Sequence, residues 1–246
     1  MKDVQAQFGK TAAAYVASPT HASGEDLDLL LAVVAPLANE RALDLGCGVG
    51  HTLRRLAPLV AFAVGADTTI EMLEAGRASV VTAPNAAFVQ ADASRLPFGD
   101  ATFDLATCRV AAHHFSDAAK AFREVFRALR AGGRFVLVDN YAPDVPQLDA
   151  FLNELETLHD ASHVREHTID GWRALLEGAG FRTSVESRLL TTKIGTEQWL
   201  ARSQTPPDRA AEVRRRLRDA LPLAVEAFNI TDTTFALPKV VLLARR

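Results

Sequence analysis

Residues 42–51 read Ala42-Leu43-Asp44-Leu45-Gly46-Cys47-Gly48-Val49-Gly50-His51, an acid followed by three glycines at alternate positions. Glycines in a strand-to-helix turn permit positive φ and let a ligand approach the backbone, and the free N–H groups of the new helix favour an anion. Asp44 pulls the other way, because a carboxylate beside the turn wants a ligand carrying a positive group. His51 occupies the position at which a dinucleotide fold places its third glycine, so a pyrophosphate is poorly served here. Two further acids follow in register: Asp67 in Gly65-Ala66-Asp67, and Asp92 in Gln90-Ala91-Asp92-Ala93. At a strand tip, a carboxylate such as Asp67 accepts hydrogen bonds from both hydroxyls of a ribose. Taken singly, each acid reads equally well as a helix cap.

These acids need strands to carry them. Between residues 40 and 140 short apolar runs alternate with helical patterns, the mark of βαβ units on a parallel sheet. The runs predict strands at Arg41–Leu45, Ala61–Ala66, Ala86–Ala91, Phe103–Cys108 and Gly133–Asp139, with the three acids at successive tips along one edge, where open α/β sheets bind ligands. Ala118, Phe122, Val125, Phe126 and Leu129 form one apolar face of a helix over Ser116–Ala131, which Gly132-Gly133 is expected to stop. Thr68 and Glu71 have capping-box spacing, predicting a helix that starts immediately after Asp67. Beyond residue 140 the pattern predicts helices at Asp144–Asp160 and Thr168–Ala179, a sixth strand at Phe181–Leu190 and a last strand at Val240–Ala244. The stretch Thr192–Ala236 is too long to lack structure and should hold helices that cover the strand ends.

The chain has 246 residues, 48% of them apolar and 23% charged, which suits one globular α/β domain and excludes disorder, collagen and coiled coil. Its 27 Lys and Arg against 30 Asp and Glu leave a net charge of −3, with no overall electrostatic reason to bind nucleic acid or an anionic membrane. The two cysteines, Cys47 and Cys108, have neither disulfide-framework nor zinc-site spacing, and a reducing cytoplasm fits them best. No apolar run reaches the roughly 18 to 20 residues needed to span a bilayer, and the amino end lacks the apolar core of a signal peptide.

Taken in order, Leu43-Asp44-Leu45-Gly46-Cys47-Gly48-Val49-Gly50, Gly65-Ala66-Asp67, Gln90-Ala91-Asp92-Ala93, Leu96-Pro97-Phe98 with Phe103-Asp104, and Leu129-Arg130-Ala131-Gly132-Gly133-Arg134 resemble the class I S-adenosylmethionine-dependent methyltransferases. The resemblance is nearest to the small-molecule branch that includes the ubiquinone/menaquinone-biosynthesis C-methyltransferases. It implies a Rossmann-like, seven-stranded and mostly parallel sheet with helices on both faces, an antiparallel last strand, and a single domain over 1–246. Within that domain, 40–140 would be the cofactor-binding core, 1–35 N-terminal lid helices, and 141–167 and 192–236 cover insertions. S-adenosylmethionine is the implied cofactor and a small molecule the implied acceptor.

Carried onto this chain, the family's pattern gives Asp44 and the backbone of Gly46, Cys47, Gly48 and Gly50 the methionine end, with His51 closing the turn and the Arg109 backbone near the ammonium. It gives Asp67 the ribose hydroxyls, Asp92 the adenine amino group and the Ala93 N–H a ring nitrogen. Thr68 departs from a position that is often hydrophobic in relatives, which leaves adenine stacking to Met72 or others. Phe8, Tyr15 and His21 form a lid helix, with Tyr15 reaching the cofactor carboxylate, or simply an amphipathic helix that packs.

For the acceptor, His114 or His113 is a base or positioning group, the alternative being one packed and one solvated histidine. His163 and Arg165 face the acceptor from the cover. His159, His163 and His167 recur every four residues, but the Thr168 cap breaks their helix, so no metal is expected. Trp172, Trp199, Phe228 and Phe235 line an apolar cleft or belong to the core. The Arg209, Arg214, Arg215, Arg216 and Arg218 run, interleaved with Asp208, Glu212 and Asp219, reads as a solvated helix face. Two competing functions share the fold: a nicotinamide-dependent dehydrogenase, and a nucleoside-binding protein without catalysis.

Overall fold

The computed structural model of the chain describes residues 4–16, 18, 22–80, 83–190 and 193–246. In chain order the helices are α1 (Val4–Val16), α2 (Glu25–Val34), α3 (His51–Leu56), α4 (Ile70–Val80), α5 (Ala118–Ala128), α6 (Pro146–His159), α7 (Ile169–Gly178), α8 (Thr196–Arg202), α9 (Pro207–Arg218) and α10 (Pro222–Ala227). The strands are β1 (Arg41–Leu45), β2 (Phe62–Asp67), β3 (Ala86–Gln90), β4 (Phe103–Arg109), β5 (Leu129–Asn140), β6 (Arg182–Leu190), β7 (Ile194–Gly195), β8 (Thr234–Phe235) and β9 (Pro238–Arg245). Seven of them form one sheet in the order β3-β2-β1-β4-β5-β9-β6. β9 runs antiparallel to both β5 and β6, and the pairings from β3 to β5 are parallel. This is the sheet that the resemblance implies.

Parallel strands buried on both faces need apolar residues throughout, and β1, β4 and β5 supply them. One side packs Leu43, Leu45, Phe103, Phe122, Phe135 and Trp172 beneath α5 and α7. The other packs Leu30, Val34, Leu53, Leu56, Leu105 and Val136 beneath α2 and α3. A third cluster, around Leu152, Leu155, Trp199, Val213, Phe228 and Phe235, joins α6 to α8, α9 and α10. The long segment before β9 therefore holds three helices and the small β7–β8 pair, as its length requires.

Two boundary readings are corrected. α5 ends at Ala128, and Leu129 is already extended and paired with Phe103. The register then shifts before Leu105 pairs with Arg134. Gly132, with φ 75°, and Gly133, whose absent Cβ would lie 2.8 Å from the Arg130 carbonyl oxygen, allow this bulge inside the strand; they do not end the helix. The helix after β2 begins at Ile70, so Thr68 does not cap it. The Asp67 carboxylate takes the Thr69 N–H at 2.8 Å instead, and the Thr68 carbonyl accepts from the Gln5 and Gln90 side-chain amides.

The sheet's strand order reverses between β1 and β4, where successive connections leave in opposite directions and a crevice opens at the carboxyl ends. α1 lies across that edge. Gln7 Nε2 donates to the Ser203 carbonyl after α8, and Gln5 Nε2 donates to the Thr68 carbonyl after β2.

Candidate active site

A cavity of about 940 Å³ occupies the crevice and extends beneath the helices that follow β5 and β6. Asp44, Gly46, Cys47, Gly48, His51, Asp67, Thr68, Met72, Asp92, Ala93, Arg109, Tyr15, His113 and His114 all line it. The structure thus gathers residues from α1, β1, β2, β4 and the segments after β3 and β4 into one space.

The turn after β1 is built on glycine of necessity. Gly46, Gly48 and Gly50 have φ of 64°, 52° and 82°. A Cβ at Gly46 would lie 2.6 Å from that of Ala111, and one at Gly50 2.6 Å from the Phe88 ring. The N–H groups of Gly46, Cys47, Gly48 and Gly50 within the turn itself are occupied by the protein. Gly46 and Cys47 both donate to the Ala66 carbonyl, Gly48 to Asp67 Oδ2 at 2.9 Å, and Gly50 to the Cys47 carbonyl. Those four donors are therefore not available to an anion.

Asp44 faces Thr107 across the β1–β4 pairing, and the Thr107 hydroxyl donates to its Oδ1 at 2.8 Å. Its Oδ2 is buried without a hydrogen-bond partner. Burial outweighs the Thr107 bond and the nearby Arg109 charge, pushing the Asp44 carboxyl up to about 7. A buried acid with one orphaned oxygen is a receptor for a cationic donor. Asp67, also raised by burial, holds the Gly48 and Thr69 N–H groups, one on each oxygen, and a carboxylate retains further lone pairs for hydroxyl donors. Asp92 closes the β3 side, accepting the Ser94 N–H at 2.8 Å from an exposed position. Met72 is buried against Val49 and Ala12, with its methyl 3.4 Å from the Cβ position of Gly48.

Arg109, anticipated for its backbone, brings a charged side chain to the site. Its guanidinium bonds Asp26 of α2 at 3.1 Å and the Thr52 hydroxyl at 3.3 Å, and Lys239 of β9 reaches the same Asp26 oxygen at 2.9 Å. His51 Nε2 meets the Tyr15 carbonyl at 3.0 Å, fastening α1 to α3. Burial pushes the Tyr15 phenol up to about 12, against the Arg202 charge beside it.

His113 and His114 follow β4 in a short 3-10 turn, their rings 4.1 Å apart. His113 Nδ1 lies 2.6 Å from Asp139 Oδ1, and Asp139 Oδ2 accepts the Ala112 N–H. Burial pulls His113 down, but the Asp139 charge and hydrogen bond win and carry it up to about 9. Burial and the charge of His113 press His114 down to about 4. Glu156, Asp160, Asn140, Trp199 and Arg202 complete this end of the cavity. Burial holds Glu156 well above the carboxylate range and lifts Glu166, bonded to Asn140, to about 7.

His163 and Arg165 are corrected: neither lines the cavity. His163 Nε2 faces Asn153 Oδ1 at 3.1 Å, and Arg165 pairs with Asp149 at 2.5 Å. α6 ends at His159, whose ring stacks on Trp199 at 3.5 Å, so His159, His163 and His167 do not share a helix face. Trp172, Phe228 and Phe235 belong to the core, and Trp199 alone of the four aromatics reaches the cavity. His21 and Thr192 lie outside the described residues. Sequence reasoning missed Asp26, Lys239, Glu156 and Arg202, which come from segments with no local motif, and in the stretch Asp160–Arg165 it picked His163 and Arg165 where Asp160 is the residue that lines the cavity. The arginine run of α9 is a solvated face, and it is also ion-paired: Arg214 with Glu197, Arg215 with Glu212, Arg216 with Glu212 and Glu154.

A methyltransferase-domain family model matches residues 43–137. The uncharacterized methyltransferase YcgJ of Bacillus subtilis is 41% identical over 226 residues, covering 91% of this chain and 89% of its own. Its solved structure superposes with a TM-score of 0.86 over 90% of this chain and 97% of that one. A demethylmenaquinone methyltransferase of Clavibacter sepedonicus is 33% identical over 216 residues, covering 78% of this chain and 86% of its own. A glycine turn whose own N–H groups are taken up within the protein and a buried acid waiting for a cation suit S-adenosylmethionine, and with these likenesses they make the chain a member of the class I S-adenosylmethionine-dependent methyltransferases.

Proposed function

We propose that the chain methylates a small molecule held at the histidine end of the cavity, with the cofactor along the β1–β3 edge. The observation that carries this reading is the orphaned Oδ2 of Asp44, buried at the glycine turn and suited to an ammonium group. Asp44 binds the methionine ammonium, Asp67 the ribose hydroxyls, and Asp92 with the Ala93 N–H the adenine edge. Met72 and Thr68 border the base, Tyr15 and His51 close the site from α1, and Arg109 borders the methionine end. Residues 40–140 serve as the cofactor core of one domain over 1–246; residues 1–35, 141–167 and 192–236 serve as its cover.

The bound cofactor supplies a methyl sulfonium already activated for transfer. What remains for the chain is to hold the acceptor atom in line, exclude water, and take a proton where the acceptor must lose one. α1 and the helices after β6 exclude water; His113 and His114 stand where the acceptor atom would be positioned. Arg214, Arg215, Arg216 and Arg218 of α9, answered by Glu197, Glu212, Glu154 and Asp219, argue against a nucleic-acid acceptor. Among the described residues no helix is long and apolar enough to cross a membrane; the two free cysteines, Cys47 and Cys108, suit a reducing cytoplasm as the place where the protein works.

Demethylmenaquinone, named for the Clavibacter relative, is the first acceptor to screen, with methyl-labelled cofactor. Asp67→Ala tests the cofactor half directly. It should raise the dissociation constant of S-adenosylhomocysteine roughly 10- to 100-fold, the scale of lost charged hydrogen bonds. Titration calorimetry that finds the affinity unchanged would remove Asp67 from the ribose site.

A further inference from the structure

We propose that Asp160 and Ser162 form a relay that fixes His114 as the Nδ1–H tautomer and presents its bare Nε2 to the acceptor cavity as the proton acceptor of methyl transfer. The inference rests on the methyltransferase reading and adds to it two positioning residues and a class of acceptor.

The assignment follows from counting donors. Asp160 Oδ1 receives the Ser162 backbone N–H at 2.7 Å, a group that can only donate. The same oxygen lies 2.6 Å from Ser162 Oγ, so the one hydroxyl proton of Ser162 goes to it. Ser162 Oγ also lies 3.1 Å from His114 Nδ1. With its proton already directed to Asp160, Oγ can only accept there, and the proton of that bond must sit on Nδ1. A neutral imidazole carrying its proton on Nδ1 leaves Nε2 as a lone pair.

The surroundings keep this histidine neutral. Beside it the His113 ring is held charged by Asp139 on β5, and burial acts in the same direction. Asp160, the Ser162 backbone and Asp139 oppose this, and the net is a base that is unprotonated at neutral pH. Ser162 is buried and does not line the cavity, whereas His114 does. The relay is held to its target because His113 carbonyl oxygen accepts both the Val164 and Arg165 N–H groups, tying the segment after α6 to the histidine pair.

Because its surroundings hold His114 down to about 4, a base in this place serves an acceptor whose proton becomes strongly acidic as the bond to methyl forms, such as a phenol or an enol. The acceptor's proton passes to Nε2, its electron pair forms the bond to the methyl carbon, and the S–CH₃ bond breaks toward sulfur. His114 ends as imidazolium and returns the proton to water. An acceptor that is already a free base or an anion has no use for the relay.

The tautomer is read without any acceptor by two-bond ¹H–¹⁵N correlation on ¹⁵N-histidine-labelled protein saturated with S-adenosylhomocysteine at pH 7.5, with His114→Gln assigning the signals. Wild type should show His114 with a protonated Nδ1 and an unprotonated Nε2. Ser162→Ala should lose that preference and Ser162→Thr should keep it. A wild-type His114 protonated on Nε2, or a pattern unmoved in Ser162→Ala, overturns the relay. The wild-type spectrum decides even if a variant fails to fold. Calorimetric titration of S-adenosylhomocysteine on the same samples separates the two ideas: absent cofactor binding defeats the methyltransferase reading, whereas normal binding with the wrong tautomer defeats only the relay.

Discussion

Asp44 concentrates the residue-scale argument, because an oxygen without a partner in a protein interior must be answered by a ligand or a proton. With its carboxyl at about 7, the proton is present on the acid side of neutrality and absent on the other. An ammonium ligand needs the carboxylate, so protonation competes with binding. Affinity for S-adenosylhomocysteine should therefore rise as pH rises from 6 to 8, approaching tenfold per unit only on the acid side of 7. Calorimetry near pH 7 in buffers of different ionisation enthalpy should show proton release on binding. Asp44→Asn should flatten the pH dependence and weaken binding at least about tenfold. A wild-type affinity that is level from pH 6 to 8 would show that Asp44 does not meet the ammonium.

At the scale of elements the glycine turn is the most constrained piece. Gly46→Ala adds a methyl 2.6 Å from the Ala111 Cβ and imposes a side chain on φ 64°, so two separate penalties apply. A loss of about 1–3 kcal/mol in urea unfolding is expected, with cofactor affinity falling as the turn is displaced. Gly178→Ala, at the end of α7 with open space around it, is the control and should be neutral or stabilising by up to about 1 kcal/mol. Equal effects at the two positions would mean that the turn tolerates rearrangement.

This turn was legible in the sequence because its requirements are local: an acid, alternating glycines and a strand before them occur within ten residues. The same holds for Asp67, at the end of β2, and for Asp92, just past the end of β3. Readings failed where another group, adjacent or far along the chain, outcompeted the one that the local pattern suggests. Thr68 has the spacing of a cap, but Asp67 takes the Thr69 N–H. Gly132-Gly133 look like a helix stop, but pairing of Leu129 with Phe103 ends α5 earlier. His163 looks like a site residue until Asn153 of α6 is found in front of it, and the Asp26–Lys239 contact joins residues 213 positions apart with no pattern to announce it.

At the scale of the whole molecule, the buried ionisable groups tie stability to pH, and His113 gives the clearest sign. Its folded value of about 9 stands above the unfolded 6.5, so the stabilisation is complete below 6.5 and is lost as pH rises through 9. The rise corresponds to at most about 3 kcal/mol. Other shifted groups act elsewhere. His51, His114, His159 and His167 are lowered, so their cost appears only as pH falls below 6.5, and Asp44 and Glu166 titrate near 7. The raised thiols of Cys47 and Cys108 weaken the fold only as pH passes 9. Glu156 is raised well above its usual range and, as a raised acid, also costs stability with rising pH. The measurement therefore belongs in a Glu156→Gln background. There, the unfolding free energy should fall between pH 7.5 and 8.5, and adding Asp139→Asn should lower it at pH 7.5 while flattening that slope. A slope that survives Asp139→Asn would mean that the charge on His113 is not what holds the β4 and β5 tips together beneath the cavity.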